Sequence, residues 1–206
     1  MTMSNKGDLM KLRARLDKAI TYGTQEEAMR LAKEGLRQAK VKALPGEIEY
    51  FSGQIEILKE NFCLAIEHFD QAIKYNPQDG ASYNDRALCM VELGIIDKAF
   101  YYFDKGIEVE PDYATIYHNK GWLLNNIGRH SEAIKYFKKA LALEPDRAVT
   151  YDNLADALLN LCDYGASLRS YKKVLELLEP GSCRQIRKNI NAQIKSIEGR
   201  LSRGQA

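Results

Sequence analysis

Few side chains in this sequence combine the residue types and the spacing that catalysis or metal binding requires. Cys63, Glu67 and His68 fall within six residues on a predicted helix, but two or three weak ligands without supporting groups seldom hold a metal. His118 and His130 lie far from this group, and the sequence contains no GxSxG, phosphate-binding glycine loop or HExxH motif. These patterns predict no enzyme activity, no metal site and no cofactor.

Amide side chains and a single tryptophan indicate a binding surface instead. Asn119 and Asn153 lie 34 residues apart, and a row of amides can hold an extended peptide because each amide donates to and accepts from its backbone. Trp122 is the only tryptophan, a residue type that often dominates interfaces. Each interpretation has an alternative. The asparagines can recur because asparagine is common at that position of a repeated sequence, and Trp122 can pack against a neighbouring helix instead of binding a partner.

Composition and cysteine usage predict a soluble cytoplasmic protein. The chain has 206 residues, of which 45% are hydrophobic and 28% charged, which is ordinary for a globular chain and excludes disorder. Its four cysteines form no CxxC pair, so we expect reduced thiols. No secretory signal and no stretch of roughly 18 apolar residues is visible.

The net charge of +2 conceals an acidic centre between basic ends. Residues 46–181 carry 14 basic and 22 acidic side chains, whereas residues 1–45 carry ten and five and residues 182–206 carry six and one. This balance favours neither nucleic acid nor membrane insertion as a partner. Basic ends could meet the acidic centre of another copy, so a self-assembling homo-oligomeric scaffold is an alternative interpretation.

A 34-residue period organises the chain, and internal periods of this length are typical of stacked repeats. It is marked by prolines (Pro77, Pro111, Pro145), by aromatic residues (Phe69, Phe103, Phe137, Tyr171), by two sets of small residues (Ala65, Ala99, Ala133, Ser167; Gly53, Ala87, Gly121, Ala155) and by tyrosines (Tyr83, Tyr117, Tyr151). Five independent columns at one period exclude coincidence.

Each period predicts two antiparallel helices. In residues 114–147, apolar positions three or four apart draw one stripe before Gly128 and another after it. Glu144-Pro145 ends the second helix because proline cannot continue it. The small residues Gly121 and Ala133 are expected to let the two helices approach closely.

The pattern resembles the tetratricopeptide repeat family. The resemblance implies an all-α fold, a right-handed α-solenoid of stacked helix hairpins. We divide the chain into a flexible N-terminus (1–8), a degenerate hairpin (9–45), repeats at 46–79, 80–113, 114–147 and 148–181, a C-terminal capping helix (182–201) and a flexible tail (202–206). A capping box, Thr24-Gln25-Glu26-Glu27, is expected to begin the second helix of the degenerate hairpin.

In this family the first helix of each hairpin lines a concave groove that binds a peptide or helix of another protein. The resemblance therefore implies a protein-interaction adaptor, or alternatively an accessory subunit of a larger enzyme or secretion complex. The side chains expected in the groove are Tyr50, Gln54, Asn84, Asp85, Leu88, His118, Asn119, Trp122, Asn125, Asn126, Asp152, Asn153 and Asp156. Binding of Hsp70 or Hsp90 C-terminal tails is disfavoured, because the required lysines and arginines lie mostly on second helices or turns.

Overall fold

The computed structural model describes residues 4–178 and 183–203. Its helices are α1 (Ser4–Tyr22), α2 (Gln25–Val41), α3 (Pro45–Ile57), α4 (Phe62–Tyr75), α5 (Gly80–Glu92), α6 (Ile96–Val109), α7 (Ala114–Asn126), α8 (His130–Leu143), α9 (Ala148–Asn160), α10 (Tyr164–Leu177) and α11 (Arg184–Ser202). They form two compact units: unit 1, up to Pro111, holds α1–α6, and unit 2, from Asp112, holds α7–α11. No strand occurs in the described residues, which confirms the predicted all-α class.

Prolines set the ends of the second helices. Helices α4, α6 and α8 each end two residues before a proline of the 34-residue period, because the residue before proline is pushed away from the helical region. Pro45 behaves differently, since it begins α3, where a missing N–H leaves no hydrogen bond unmade. Pro180 lies outside the described residues.

The turns within the hairpins use a left-handed residue at one position of the period. Gly94 and Gly128 have φ values of +73° and +81° there, which glycine adopts without steric cost. Glu60 and Cys162 take the same conformation, with φ of +63° and +61°. The backbone turn is therefore kept in hairpins that lack the glycine.

Close packing of an aromatic ring against a small residue joins the two helices of a hairpin. A Cβ atom added to Gly53 would lie 2.8 Å from the ring of Phe69, and one added to Gly121 would lie 2.9 Å from the ring of Phe137. The Gly121 position is also only 3.2 Å from the carbonyl oxygen of Ala133. The expected close approach of α7 and α8 at these residues is confirmed.

The hairpin of α9 and α10 departs from the pattern but satisfies the polar atoms that it introduces. The hydroxyl of Ser167 donates to the carbonyl oxygen of Ala155 at 2.8 Å. The buried Tyr171, which replaces phenylalanine, donates its hydroxyl to the carboxylate of Asp156. Ser167 and Tyr171 can therefore remain buried in the core, because a buried hydroxyl that has a hydrogen-bond partner is tolerated.

The N-terminal hairpin is built from α1 and α2. The Thr24 side chain accepts a hydrogen bond from the backbone N–H of Glu27 at 3.1 Å, which confirms the capping residue. Leu12 and Leu16 of α1 are buried. Helix α1 begins at Ser4, so residues 4–8, expected to be flexible, are helical, since no proline or turn pair interrupts this stretch.

Helix α11 covers the last hairpin with one apolar face. Ile190, Ile194 and Ile197 are buried in a cluster with residues of α9 and α10, as expected of a helix that closes a stack. Arg187 of this helix donates to the carbonyl oxygens of Leu175 and Leu178 at the end of α10. Among the described residues, no helix has the length and apolarity needed to cross a bilayer.

Candidate binding faces

The predicted groove residues lie on first helices in both units. The first-helix face of unit 1 consists of five predicted residues on α3 and α5: Tyr50, Gln54, Asn84, Asp85 and Leu88. The first-helix face of unit 2 consists of eight on α7 and α9: His118, Asn119, Trp122, Asn125, Asn126, Asp152, Asn153 and Asp156. The two faces belong to separate compact units.

In unit 1, an arginine from α1 covers the ring of Tyr50. The Arg13 guanidinium carbon lies 3.5 Å from the centre of this ring. Its terminal nitrogens donate to both carboxylate oxygens of Asp79 at 2.9–3.2 Å, and its Nε donates to Glu47 at 3.0 Å. Tyr50 is therefore only 6% exposed, so this predicted groove residue is covered by a side chain of α1.

Burial and neighbouring negative charge have opposite effects on the pKa of Arg13. Removal from water lowers the pKa of Arg13, while the neighbouring Asp79, Tyr50 and Glu47 together raise it above its usual value. The side chain is therefore held as a charged guanidinium. This charge has two carboxylate partners of low exposure, so it is compensated within the fold.

Amides and a carboxylate form a second polar cluster in unit 1. The side-chain N–H groups of Gln54 and Asn84 donate to the two oxygens of Asp85. Burial raises the pKa of Asp85 to about 7, and Asp17 on α1 adds to this effect, against the opposing hydrogen bond from Asn84. Gln54 and Asn84 are buried, so these two predicted groove residues are enclosed within unit 1.

In unit 2, His118 is buried and hydrogen-bonded within the fold. Its Nδ1 lies 2.9 Å from the hydroxyl of Thr150 on α9, and its ring contacts that of Phe137. Burial, with a smaller contribution from Arg147, lowers the pKa of His118 to about 3. This histidine is a neutral structural residue that joins α7 to α9, and this predicted groove residue is buried.

The buried neutral state of His118 predicts a pH-dependent stability. An unfolded histidine binds a proton near pH 6.5, whereas folded His118 does so only near pH 3. This contribution to stability is therefore complete above pH 6.5 and is lost as the pH falls towards 3. By linkage the loss is about 1.4 kcal/mol per pH unit in this window, or about 2 kcal/mol at pH 5.

Urea unfolding of the wild type and of His118→Asn at pH 7 and pH 5 measures this effect. The variant keeps a polar group near Thr150 but cannot titrate, and all carboxylates and the other two histidines are present in both proteins. We expect the wild type to lose about 2 kcal/mol more than the variant between the two pH values. An equal loss in both would contradict the assignment.

Two further residues of the unit 2 face bond to second helices. Asn125 Oδ1 lies 2.6 Å from Nδ1 of His130, at the start of α8, and Asp156 accepts from the Tyr171 hydroxyl of α10. Asp156 also affects its neighbour Asp152, whose pKa is raised to about 6, first by burial and then by the Asp156 charge. Part of the predicted face therefore serves the packing of each hairpin.

The remaining side chains of this face keep contact with solvent. Trp122 and Asn153 are partly exposed, as is Asn119, and Asn126 is exposed. Within residues 4–178 and 183–203, Trp122 has no aromatic or cation–π partner, and the Asn153 amide has no hydrogen-bond partner. A polar donor–acceptor and a large aromatic surface are thus available on α7 and α9, which contact each other.

The group of Cys63, Glu67 and His68 does not converge on a common site. His68 pairs through Nδ1 with Glu49 at 2.7 Å, and Cys63 is exposed. In the part of the chain that the structure describes, no group of three or more His, Cys, Asp or Glu side chains has a metal-binding arrangement.

Sequence reasoning missed the partners that cover the unit 1 face. Arg13 stands at the fifth position of the degenerate hairpin, the position that Tyr50 holds in the next repeat, so the register could have placed both on one face. Nothing in the sequence indicates that Glu47 and Asp79 would receive this arginine, because Asp79 lies 66 residues away from it.

Comparisons with known proteins agree with this architecture. Family models of the tetratricopeptide repeat match residues 59–108 and 114–147. A search of curated protein sequences finds no match.

Solved structures provide several similar folds. A thermophilic TPR protein of Thermus thermophilus, TTC0263, is 19% identical, with a TM-score of 0.72 over 90% of this chain and 98% of its own. MamA from Desulfovibrio magneticus RS-1 is 20% identical, with a TM-score of 0.56 over 82% of this chain and 94% of its own. PilW, a widely conserved type IV pilus biogenesis factor, is 25% identical, with a TM-score of 0.60 over 64% of this chain and 61% of its own. The 34-residue period, the hairpins packed through small and aromatic residues and these matches lead to one conclusion: the chain contains tetratricopeptide repeats and has the fold of tetratricopeptide repeat proteins.

Proposed function

We propose that this protein is a non-catalytic adaptor that binds a peptide or helix of a protein partner on the first-helix face of unit 2. The observation that carries the proposal is the contrast between the two faces. In unit 1, Tyr50, Gln54 and Asn84 are buried and only Asp85 and Leu88 are partly exposed. In unit 2, His118 is buried, whereas the other seven predicted residues, Trp122 and Asn153 among them, keep solvent contact. Repeat folds of this family are in general protein-interaction folds.

The chemistry of this face suits a peptide backbone together with one apolar side chain. The Asn153 amide can donate to a backbone carbonyl and accept from a backbone N–H. Trp122 offers a rigid aromatic surface, and burying such a surface is a common source of interface affinity. Asp152 adds negative charge beside Asn153, which favours a partner segment that is not acidic.

Selection of random peptides against the full-length protein, followed by affinity measurements, tests the proposal. We expect the selected peptides to bind Trp122→Ala/Asn153→Ala at least about 30-fold more weakly than the wild type, because loss of an interface anchor commonly costs about 2 kcal/mol or more.

A matched control is Lys135→Ala/Lys138→Ala, which changes two exposed side chains on α8, a second helix. This control should bind the selected peptides as the wild type does. Undiminished binding by Trp122→Ala/Asn153→Ala, with an unchanged melting temperature, would refute the proposal. So would equal losses in both double variants.

A further inference from the structure

The environment of Arg13 has the geometry of a ligand site whose ligand belongs to the same chain. The guanidinium comes from α1, while the groups that bind it come from later elements: Glu47 and Tyr50 from α3, and Asp79 from the residue that precedes α5. Residues 14–46 separate the arginine from the first of these groups. The groups that bind the guanidinium therefore lie on different elements from the arginine that supplies it.

The binding groups are positioned without help from Arg13. The Tyr50 ring makes edge-to-face contacts with Phe51 and Phe69, at centroid distances of 5.3 and 6.1 Å. The Asp79 carboxylate accepts a 2.6 Å hydrogen bond from the Ser82 hydroxyl. A site held by core contacts and a turn should persist when the arginine side chain is absent.

The arrangement selects a guanidinium over an ammonium group. Asp79 receives two donors of the planar fork, Glu47 receives the third at Nε, and the flat cation lies over the ring of Tyr50. A lysine ammonium is a compact, strongly hydrated point charge, and it cannot fill two carboxylate positions and stack on the ring together. Arginine recognition therefore follows from the geometry.

We propose that Glu47, Tyr50 and Asp79 form a guanidinium-binding site on unit 1, which Arg13 occupies in the free protein and which an arginine side chain of a protein partner takes in exchange. Negative charge and low exposure at both carboxylates fit this ligand. Since Arg13 competes from within the chain, its removal raises the affinity for external guanidinium groups. The inference does not depend on the proposed face of unit 2.

Chemical complementation of the full-length Arg13→Ala variant tests the site. The probe is N-ethylguanidinium chloride at constant ionic strength, with ethylammonium chloride as the control cation, and the readout is the NMR signals of the Tyr50 ring and the Gly80 amide. We expect saturable shifts in the variant, with an affinity at least about tenfold higher than in the wild type, whose site is filled by an intramolecular competitor. Ethylammonium should bind at least about tenfold more weakly than ethylguanidinium.

Two further variants keep the test decisive. Arg13→Ala/Asp79→Asn should lose the guanidinium response, which ties the response to this site. Arg13→Gln removes the charge but keeps the first part of the aliphatic stem, and it replaces Arg13→Ala if that variant unfolds. A folded variant without saturable shifts, an equal response in the wild type, or equal affinities for the two cations would each overturn the proposal.

An arginine-bearing peptide then tests the exchange with a partner. The capped tripeptide Ala-Arg-Ala should bind Arg13→Ala and compete with ethylguanidinium, and its lysine counterpart should not. Binding of both peptides with the same affinity would contradict arginine recognition. Trp122→Ala/Asn153→Ala should leave this response unchanged, which separates this site from the face of unit 2.

Discussion

Replacing Phe103 with alanine is expected to lower the free energy of unfolding by about 3–5 kcal/mol. The Phe103 ring is fully buried on α6, at the position where Phe69 and Phe137 pack against glycines of the preceding helix. Its loss leaves a cavity between α5 and α6 that the backbone cannot close, because the helices are joined by other contacts along their length.

Tyr101→Ala provides the matched control on the same helix. Tyr101 is 56% exposed, whereas Phe103 is 0% exposed, so the control removes an aromatic ring of similar size without opening a cavity. Urea unfolding followed by circular dichroism should show a loss within about 1 kcal/mol for Tyr101→Ala. A loss below about 1 kcal/mol for Phe103→Ala, or similar losses for both, would show that this aromatic column does not hold the hairpins together.

Replacing Asp79 with alanine is expected to destabilise the protein by about 3 kcal/mol, the lower end of the range for breaking a buried ion pair. Of the two carboxylate partners that the described residues give the Arg13 guanidinium, Glu47 alone would remain, and the arginine side chain is only 16% exposed. The cost is chiefly that of leaving a desolvated charge poorly compensated. The Ser82 hydroxyl would lose its bond to Asp79 as well.

The exposed pair of Arg129 and Glu132 supplies the comparison. Both side chains are about half exposed, so Glu132→Ala should change the free energy of unfolding by no more than about 1 kcal/mol. The losses caused by Arg13→Leu and by Asp79→Ala should not add in the double variant, because both members of the Arg13–Asp79 pair are then removed and only Glu47 is left without its Arg13 partner. An Asp79→Ala effect as small as that of Glu132→Ala would mean that solvent screens this network.

Much of the fold follows from local rules that act within a few residues. Prolines every 34 residues predict the ends of α4, α6 and α8, and the structure confirms these ends. The alternation of small and aromatic residues predicts which faces meet, as at Gly121 and Phe137. Helix periodicity also places the predicted groove residues on first helices, because a side chain's direction around a helix depends only on its position in the repeat.

The accessibility of these side chains could not be predicted in the same way. His118 and Asn119 are adjacent in the sequence, yet His118 is buried against Thr150 while Asn119 keeps partial exposure. The direction of a side chain is a local property, but its burial depends on what another element places over it. A single sequence contains no direct signal for such a partner.

The sequence by itself therefore determined the repeat, the helical hairpins and the set of polar side chains on first helices. Only the tertiary structure decided which of them remain exposed to solvent. In unit 1, Arg13 reaches Glu47 and Asp79, 34 and 66 residues away, and covers Tyr50. The physical reason is that local periodicity comes from backbone geometry, whereas desolvation and ion pairing arise only when distant segments pack together.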